Sequence, residues 1–310
     1  MYRSLFLFFI FYFFGSNLIA QNPTLIASGN ANLQKKNFKE ALNNYTQALK
    51  ENPSSIQALC GSAQANNGLG NFSEALNLAE SALKLAPQSD IANTTKGEIL
   101  VSNKDYAGAI TLFNKAIELN KSNFQAYIGK SKAYNLLGDV KEAYKVLDNA
   151  IVAFPSSAEL FIARGLLNNS REKHSKALSD FDKALSLNEK NNTFTAYYNR
   201  GIAYQFLEEY ESALADYNKA AELEPSNANA FYSRGLTNYQ MGNYEPAVND
   251  FLRADELNPN NAVTYYNLGM AFYKLEKLND ACMYFHKSCG MKNTNACKMI
   301  IMVCSEKQSK

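Results

Sequence analysis

From Asn22 to Asn295 the apolar positions of this chain fall at helical spacing in paired blocks, and the pair recurs with a 34-residue period. In the clearest copy Phe231, Gly235, Tyr244, Ala247, Phe251, Ala254, Leu257 and Pro259 hold positions 4, 8, 17, 20, 24, 27, 30 and 32. The same offsets divide the chain into eight copies, 22–55, 56–89, 90–123, 124–157, 158–193, 194–227, 228–261 and 262–295. Only the fifth is longer, by Asn192 and Thr193. Position 20 is alanine in every copy, from Ala41 to Ala281, and position 27 is alanine in all but the last, which has Ser288. Apolar residues at this spacing predict amphipathic helices. A polar break near positions 15 and 16, as in Gly70-Asn71, Gly138-Asp139 and Gly242-Asn243, predicts a turn between two of them. Each copy is therefore expected to be an antiparallel helix pair. Small residues at positions 8, 20 and 27 let the backbones approach, and larger apolar residues at 4, 17 and 24 fill the remaining space. Proline at position 32 (Pro53, Pro87, Pro155, Pro225, Pro259) ends the second helix, because it lacks the N–H that the ladder needs.

The period and its small-residue signature resemble the tetratricopeptide repeat. That resemblance implies an all-α fold: a right-handed α-solenoid of eight helix-turn-helix repeats. Residues 296–310 are expected to form a capping helix and tail. A repeat of this kind stacks on its neighbours to bury its apolar face, so one continuous solenoid is predicted. No copy has tryptophan at position 4, where the family often does; Tyr127, Tyr197, Phe231 and Tyr265 stand there instead. The cysteine-bearing stretch Asp280 to Cys297 also resembles Sel1-like repeats over about one repeat.

The 31 basic and 29 acidic residues give a formal charge of +2 without a dense basic run, which argues against a nucleic-acid partner. Residues 1–20 differ from the rest: Arg3 precedes the apolar run Leu5 to Phe14, then Gly15-Ser16-Asn17 and Leu18-Ile19-Ala20. This reads as a signal peptide cut after Ala20. Such a run is too short to span a bilayer, for which about 20 residues are needed. Export to a periplasm or beyond is expected, with no transmembrane span after cleavage; the alternative is an uncleaved signal acting as a membrane anchor.

Four of the five cysteines gather at the carboxyl end. Cys289 and Cys297 lie four residues either side of Asn293, and Cys282 and Cys304 eleven. In an antiparallel hairpin turning there, Cys289 faces Cys297 and Cys282 faces Cys304 at separations a disulfide can bridge. An exported chain favours oxidation. Two alternatives are a zinc set that includes His286 and reduced cysteines packed as small apolar residues. Cys60 stands alone as a semi-buried small residue.

In the resembled family the first helices line a concave face, with positions 2, 5, 9, 12 and 13 pointing into it. Copies six to eight place Tyr198, Ile202, Phe206, Tyr232, Leu236, Tyr239, Tyr266, Met270 and Tyr273 there. Copies one to three place Asn30, Gln57, Gln64, Asn67, Thr94 and Glu98 there. Tyrosine offers large contact area with a polar tip, so the carboxyl half is expected to bind another protein or peptide. The other reading of these tyrosines is packing between copies. The carboxylate clamp of some relatives is not expected, since position 5 carries Ile26, Cys60, Thr94, Ile128 and Tyr198, none of them lysine.

Arginine at position 7 occurs only in copies five to seven (Arg164, Arg200, Arg234), and aspartate at position 23 in the same three (Asp180, Asp216, Asp250). Structural ion pairs, within a copy or to a neighbour, are expected. The chain has two histidines and none of the familiar catalytic or phosphate-binding motifs. A non-catalytic scaffold without cofactor or metal is expected, with a periplasmic carrier of a small or polymeric ligand, such as a glycan fragment, as the alternative.

Overall fold

The computed structural model describes residues 18–187 and 193–304. The leader and cut predicted within residues 1–20 lie outside the described side chains, as do Asn192 and the tail 305–310. The described residues form α1 (Leu18–Gln34), α2 (Phe38–Glu51), α3 (Ile56–Gly68), α4 (Phe72–Leu85), α5 (Asp90–Ser102), α6 (Tyr106–Leu119), α7 (Phe124–Leu137) and α8 (Val140–Ala153). There follow α9 (Ala158–Ser170), α10 (His174–Ser186), α11 (Thr193–Phe206), α12 (Tyr210–Leu223), α13 (Ala228–Gln240), α14 (Tyr244–Leu257), α15 (Ala262–Lys274), α16 (Leu278–Gly290) and α17 (Thr294–Met299). A π-helical turn, Ile300–Cys304, ends the described chain. No strand occurs among the described residues. The protein is an all-α helical-repeat solenoid.

Local rules explain where these helices begin and end. Side-chain oxygens of Ser55, Ser89 and Asn123 accept hydrogen bonds from the amides of Ala58, Ala92 and Ala126, three residues on, and so cap α3, α5 and α7. Helices α2, α4, α8, α12 and α14 stop two residues before their prolines. Between the helices of each pair, position 15 takes a left-handed backbone in every copy: glycine at Gly70, Gly138 and Gly242, but Lys36, Lys104, Glu172, Glu208 and Glu276 elsewhere. The next amide reaches back five residues, as in Asp105 N to the Leu100 carbonyl, 2.9 Å, and Lys173 N to the Asn168 carbonyl, 2.9 Å. This closure satisfies carbonyls that the helix end would otherwise leave open.

Packing divides the chain into two compact units, Met1–Ala153 and Phe154–Lys310, where the sequence predicts one continuous solenoid. The period runs through residue 153 unchanged, so periodicity alone gives no boundary. Within each unit the core repeats. The position 20 alanines are fully buried, and so are the position 24 rings Tyr45, Phe113, Phe181, Tyr217, Phe251 and Phe285. Each ring lies against the small residue at position 8 of its own pair: a β-carbon on Gly165 would come within 2.7 Å of Phe181, and one on Gly269 within 2.5 Å of Phe285.

Candidate interaction surface

In the second unit, α11, α13 and α15 are the first helices of three successive pairs and carry the predicted tyrosine strip. Phe206 and Tyr273 are its most exposed members, at 68% and 39%. The other seven, Tyr198, Ile202, Tyr232, Leu236, Tyr239, Tyr266 and Met270, are half-buried. Two tyrosine hydroxyls tie one pair to the next: Tyr198 Oη lies 3.2 Å from Ser233 Oγ, and Tyr232 Oη accepts a 2.8 Å bond from Asn267 Nδ2. Burial raises the Tyr232 phenol, with the Asn267 bond opposing, and raises Tyr239 as well. The strip therefore both packs adjacent copies and presents ring edges to solvent.

Beside the tyrosines lies an amide row that sequence reasoning missed. Gln205 Nε2 donates to Gln240 Oε1 at 2.9 Å, while Gln205 Oε1 accepts from the buried Tyr217 hydroxyl at 2.9 Å. His174 stacks on the exposed Phe206 ring with centroids 4.5 Å apart. The available signal was positional: His174 holds position 17, where the next two copies have Tyr210 and Tyr244. In the first unit the corresponding face is polar and self-bonded. Gln64 Nε2 donates to Glu98 Oε2 at 3.0 Å, Asn67 to Ser102 Oγ at 3.1 Å, and Tyr45 to Asn30 Oδ1 at 2.6 Å. Burial raises the Glu98 carboxyl, opposed by the Gln64 bond and the charge of Lys132.

The arginine and aspartate of copies five to seven meet within each pair. Arg164 Nη2 lies 2.6 Å from Asp180 Oδ1, and Arg200 grips Asp216 through Nε and Nη2 at 2.8 and 2.7 Å. Arg234 holds Asp250 likewise. Arg200 and Arg234 also reach the second helix of the preceding pair: Arg200 Nη1 bonds Asp182 Oδ1 at 2.7 Å, and Arg234 Nη1 bonds Asn218 Oδ1 at 2.9 Å. Each guanidinium therefore joins three helices. It also lies over the position 4 ring of its own helix, 5.5 Å from Tyr197 for Arg200 and 5.3 Å from Phe231 for Arg234. The bonds to Asp216, then its charge and that of Asp182, raise the Arg200 guanidinium. Burial raises the Asp216 carboxyl, and Arg200 only partly offsets it.

At the carboxyl end the sulfurs are paired with one another, Cys282 with Cys304 (Cα separation 5.8 Å) and Cys289 with Cys297 (4.8 Å). The cysteine and histidine zinc set is therefore not formed; His286 is exposed. Among the described residues, no group of three His, Cys, Asp or Glu side chains is placed to hold a metal ion. Cys60 is buried, and burial pushes its thiol up to about 11. Among the described residues no helix is long and apolar enough to cross a membrane.

Family models described as "Tetratricopeptide repeat" match residues 32–97, 100–167 and 262–295, and one described as "TPR repeat" matches 207–242 and 238–276. The chain belongs to the tetratricopeptide-repeat family. Members of this family bind other proteins or peptides. A TPR repeat-containing protein of Methanocaldococcus jannaschii is 28% identical over 35% of this chain and 18% of its own. Tetratricopeptide repeat protein 36 of Xenopus tropicalis is 33% identical over 27% of this chain and 44% of its own. Anaphase-promoting complex subunit 3 of Schizosaccharomyces pombe is 27% identical over 33% and 16%. The chain spans less than half the length of these curated relatives. Among solved structures, the APC/C hetero-tetramer Cut9-Hcn1 matches with a TM-score of 0.61 at 18% identity, over 84% of this chain and 49% of that one. A tetratricopeptide repeat protein from Parabacteroides merdae matches with 0.53 at 18%, over 82% and 99%. At such identity these likenesses speak for the fold alone.

Proposed function

We propose that this tetratricopeptide-repeat protein is a non-catalytic scaffold, exported by its leader, that holds a peptide or helix of a partner on the first-helix face of its second unit. The observation that carries the reading is the run of half-exposed, uncharged side chains on α11, α13 and α15, from Tyr198 to Tyr273. Rings with polar tips lose little conformational freedom on binding and give both apolar area and hydrogen bonds. The first unit already spends its polar groups on internal bonds, so it offers less.

Site-specific photo-crosslinking tests the reading. A benzoylphenylalanine at Phe206 should yield a defined adduct, and one at the exposed Lys219 on α12 should not. The adduct's segment, made as a synthetic peptide, should lose affinity for the Phe206→Ala/Tyr273→Ala variant. Equal crosslinking from both positions, or unchanged peptide affinity, would refute the assignment.

A further inference from the structure

The last helix is a shortened copy of a first helix. Asn293 Oδ1 accepts from the Ala296 amide at 3.1 Å, as Ser89 does from Ala92, and Ala296 is as fully buried as Ala92. Yet α17 has 6 residues where the first helix α15 has 13. A stub of that length buries little apolar area of its own and cannot hold its place by packing alone. It continues into the π-helical turn Ile300–Cys304, whose Ile301 and Met302 are 73% and 66% exposed. Tyr266 and Met270, two of the three members of the candidate face on α15, share one apolar cluster with Met299, Ile300 and Cys304 around Phe285. The cap therefore closes one side of the cluster that holds Tyr266 of the interaction face.

The two bridges hold different parts of this cap. Cys289–Cys297 closes a loop of sequence separation 8 and fastens the middle of α17 to the end of α16. Cys282–Cys304, separation 22, fastens only the far end, the π-helical turn. All four cysteines are partly solvent-accessible.

We propose that the Cys282–Cys304 bridge is a thiol-operated latch on the Tyr266 end of the interaction face, with Cys289–Cys297 as its hinge. This deepens the scaffold reading and rests on it. A dithiol reductant opens the latch: one thiolate attacks a bridge sulfur and forms a mixed disulfide, and its second thiol then displaces the remaining sulfur. Two electrons and two protons pass to Cys282 and Cys304, and the reductant leaves as a disulfide. The freed turn then uncovers Tyr266 and Met270, widening the exposed strip on α15. With the bridge closed, the cap covers one side of these two side chains.

The full chain carrying Cys282→Ser/Cys304→Ser, which keeps the inner bridge, tests this without any partner. Tyrosine iodination followed by mass spectrometry should show labelling of Tyr266 severalfold above wild type, with the buried Tyr265 as internal reference. Hydrogen exchange should rise in 296–304 while α15 and α16 keep their protection. The Cys289→Ser/Cys297→Ser variant should label Tyr266 at the wild-type rate. Wild-type labelling in the first variant would overturn the latch. So would exchange rising through α15 and α16, or equal labelling in both variants, since each marks the bridges as staples of the whole end. Failure of the scaffold reading shows instead as absent crosslinking at Phe206 and leaves these readouts unchanged.

Discussion

The ring of Phe113 occupies the space that a β-carbon on Gly129 would need: the added atom would lie 2.4 Å from Cζ. Phe113 is fully buried at position 24 of one pair, and Gly129 is on the first helix of the next. The contact is thus how successive pairs of the first unit close on each other.

Gly129→Ala should destabilise the protein by about 1–3 kcal/mol, because a buried ring between two backbones has no room to move aside. Gly290, with nothing within 4 Å of its added β-carbon, is the control. Gly290→Ala should leave stability unchanged or raise it by up to about 1 kcal/mol. Urea denaturation of the two variants against wild type measures both.

Replacing Arg200 with methionine should destabilise by about 3–5 kcal/mol, because it strands a carboxylate that is only 6% exposed. The loss should depend on pH. Burial already raises Asp216, and without Arg200 it rises further. A raised carboxyl favours the folded state below the unfolded value of about 3.9 and disfavours it as pH climbs through the folded value. The gap in melting temperature between variant and wild type should therefore be widest near neutrality and shrink towards pH 4.

The left-handed backbone at Lys104 (φ 65°) and Glu172 (φ 57°) carries a steric cost that glycine avoids. Lys104→Gly and Glu172→Gly should each stabilise by about 0.5–1 kcal/mol after allowance for glycine's larger unfolded entropy. Equilibrium unfolding of the single and double variants checks size and additivity.

Cys60 should resist alkylation in the native protein at pH 8, since its thiol is buried and pushed up to about 11, mainly by burial, with Glu98 adding and the Thr95 bond opposing. It should react at once in denaturant. Timed iodoacetamide labelling with mass spectrometry reads both rates, and rapid native labelling at Cys60 would contradict the burial.

Much of this protein was legible as sequence because helical periodicity and small-residue spacing are local. An alanine at position 20 or a proline at position 32 acts within its own helix or turn, so the helix pairs could be read from Ala247 and Pro259 alone. Equal spacing about Asn293 was enough to suggest which cysteines face one another, since a hairpin maps sequence distance onto height. Tertiary structure decided matters that depend on neighbours. The left-handed residue is Lys104 or Glu172 as readily as Gly70, because the backbone closure from position 16 to position 11 overrides side-chain preference. Arg200 and Arg234 reach back to the preceding pair, a direction that co-occurrence along the chain does not contain. The period shows no break at residue 153, although the chain packs as two units. Repeat position assigns Tyr266 and Met270 to the strip, yet the cap helix packs into their cluster. A periodic sequence specifies its repeating unit completely, but what stands on either side of each unit, and where the stack is closed, follows only from three-dimensional contacts.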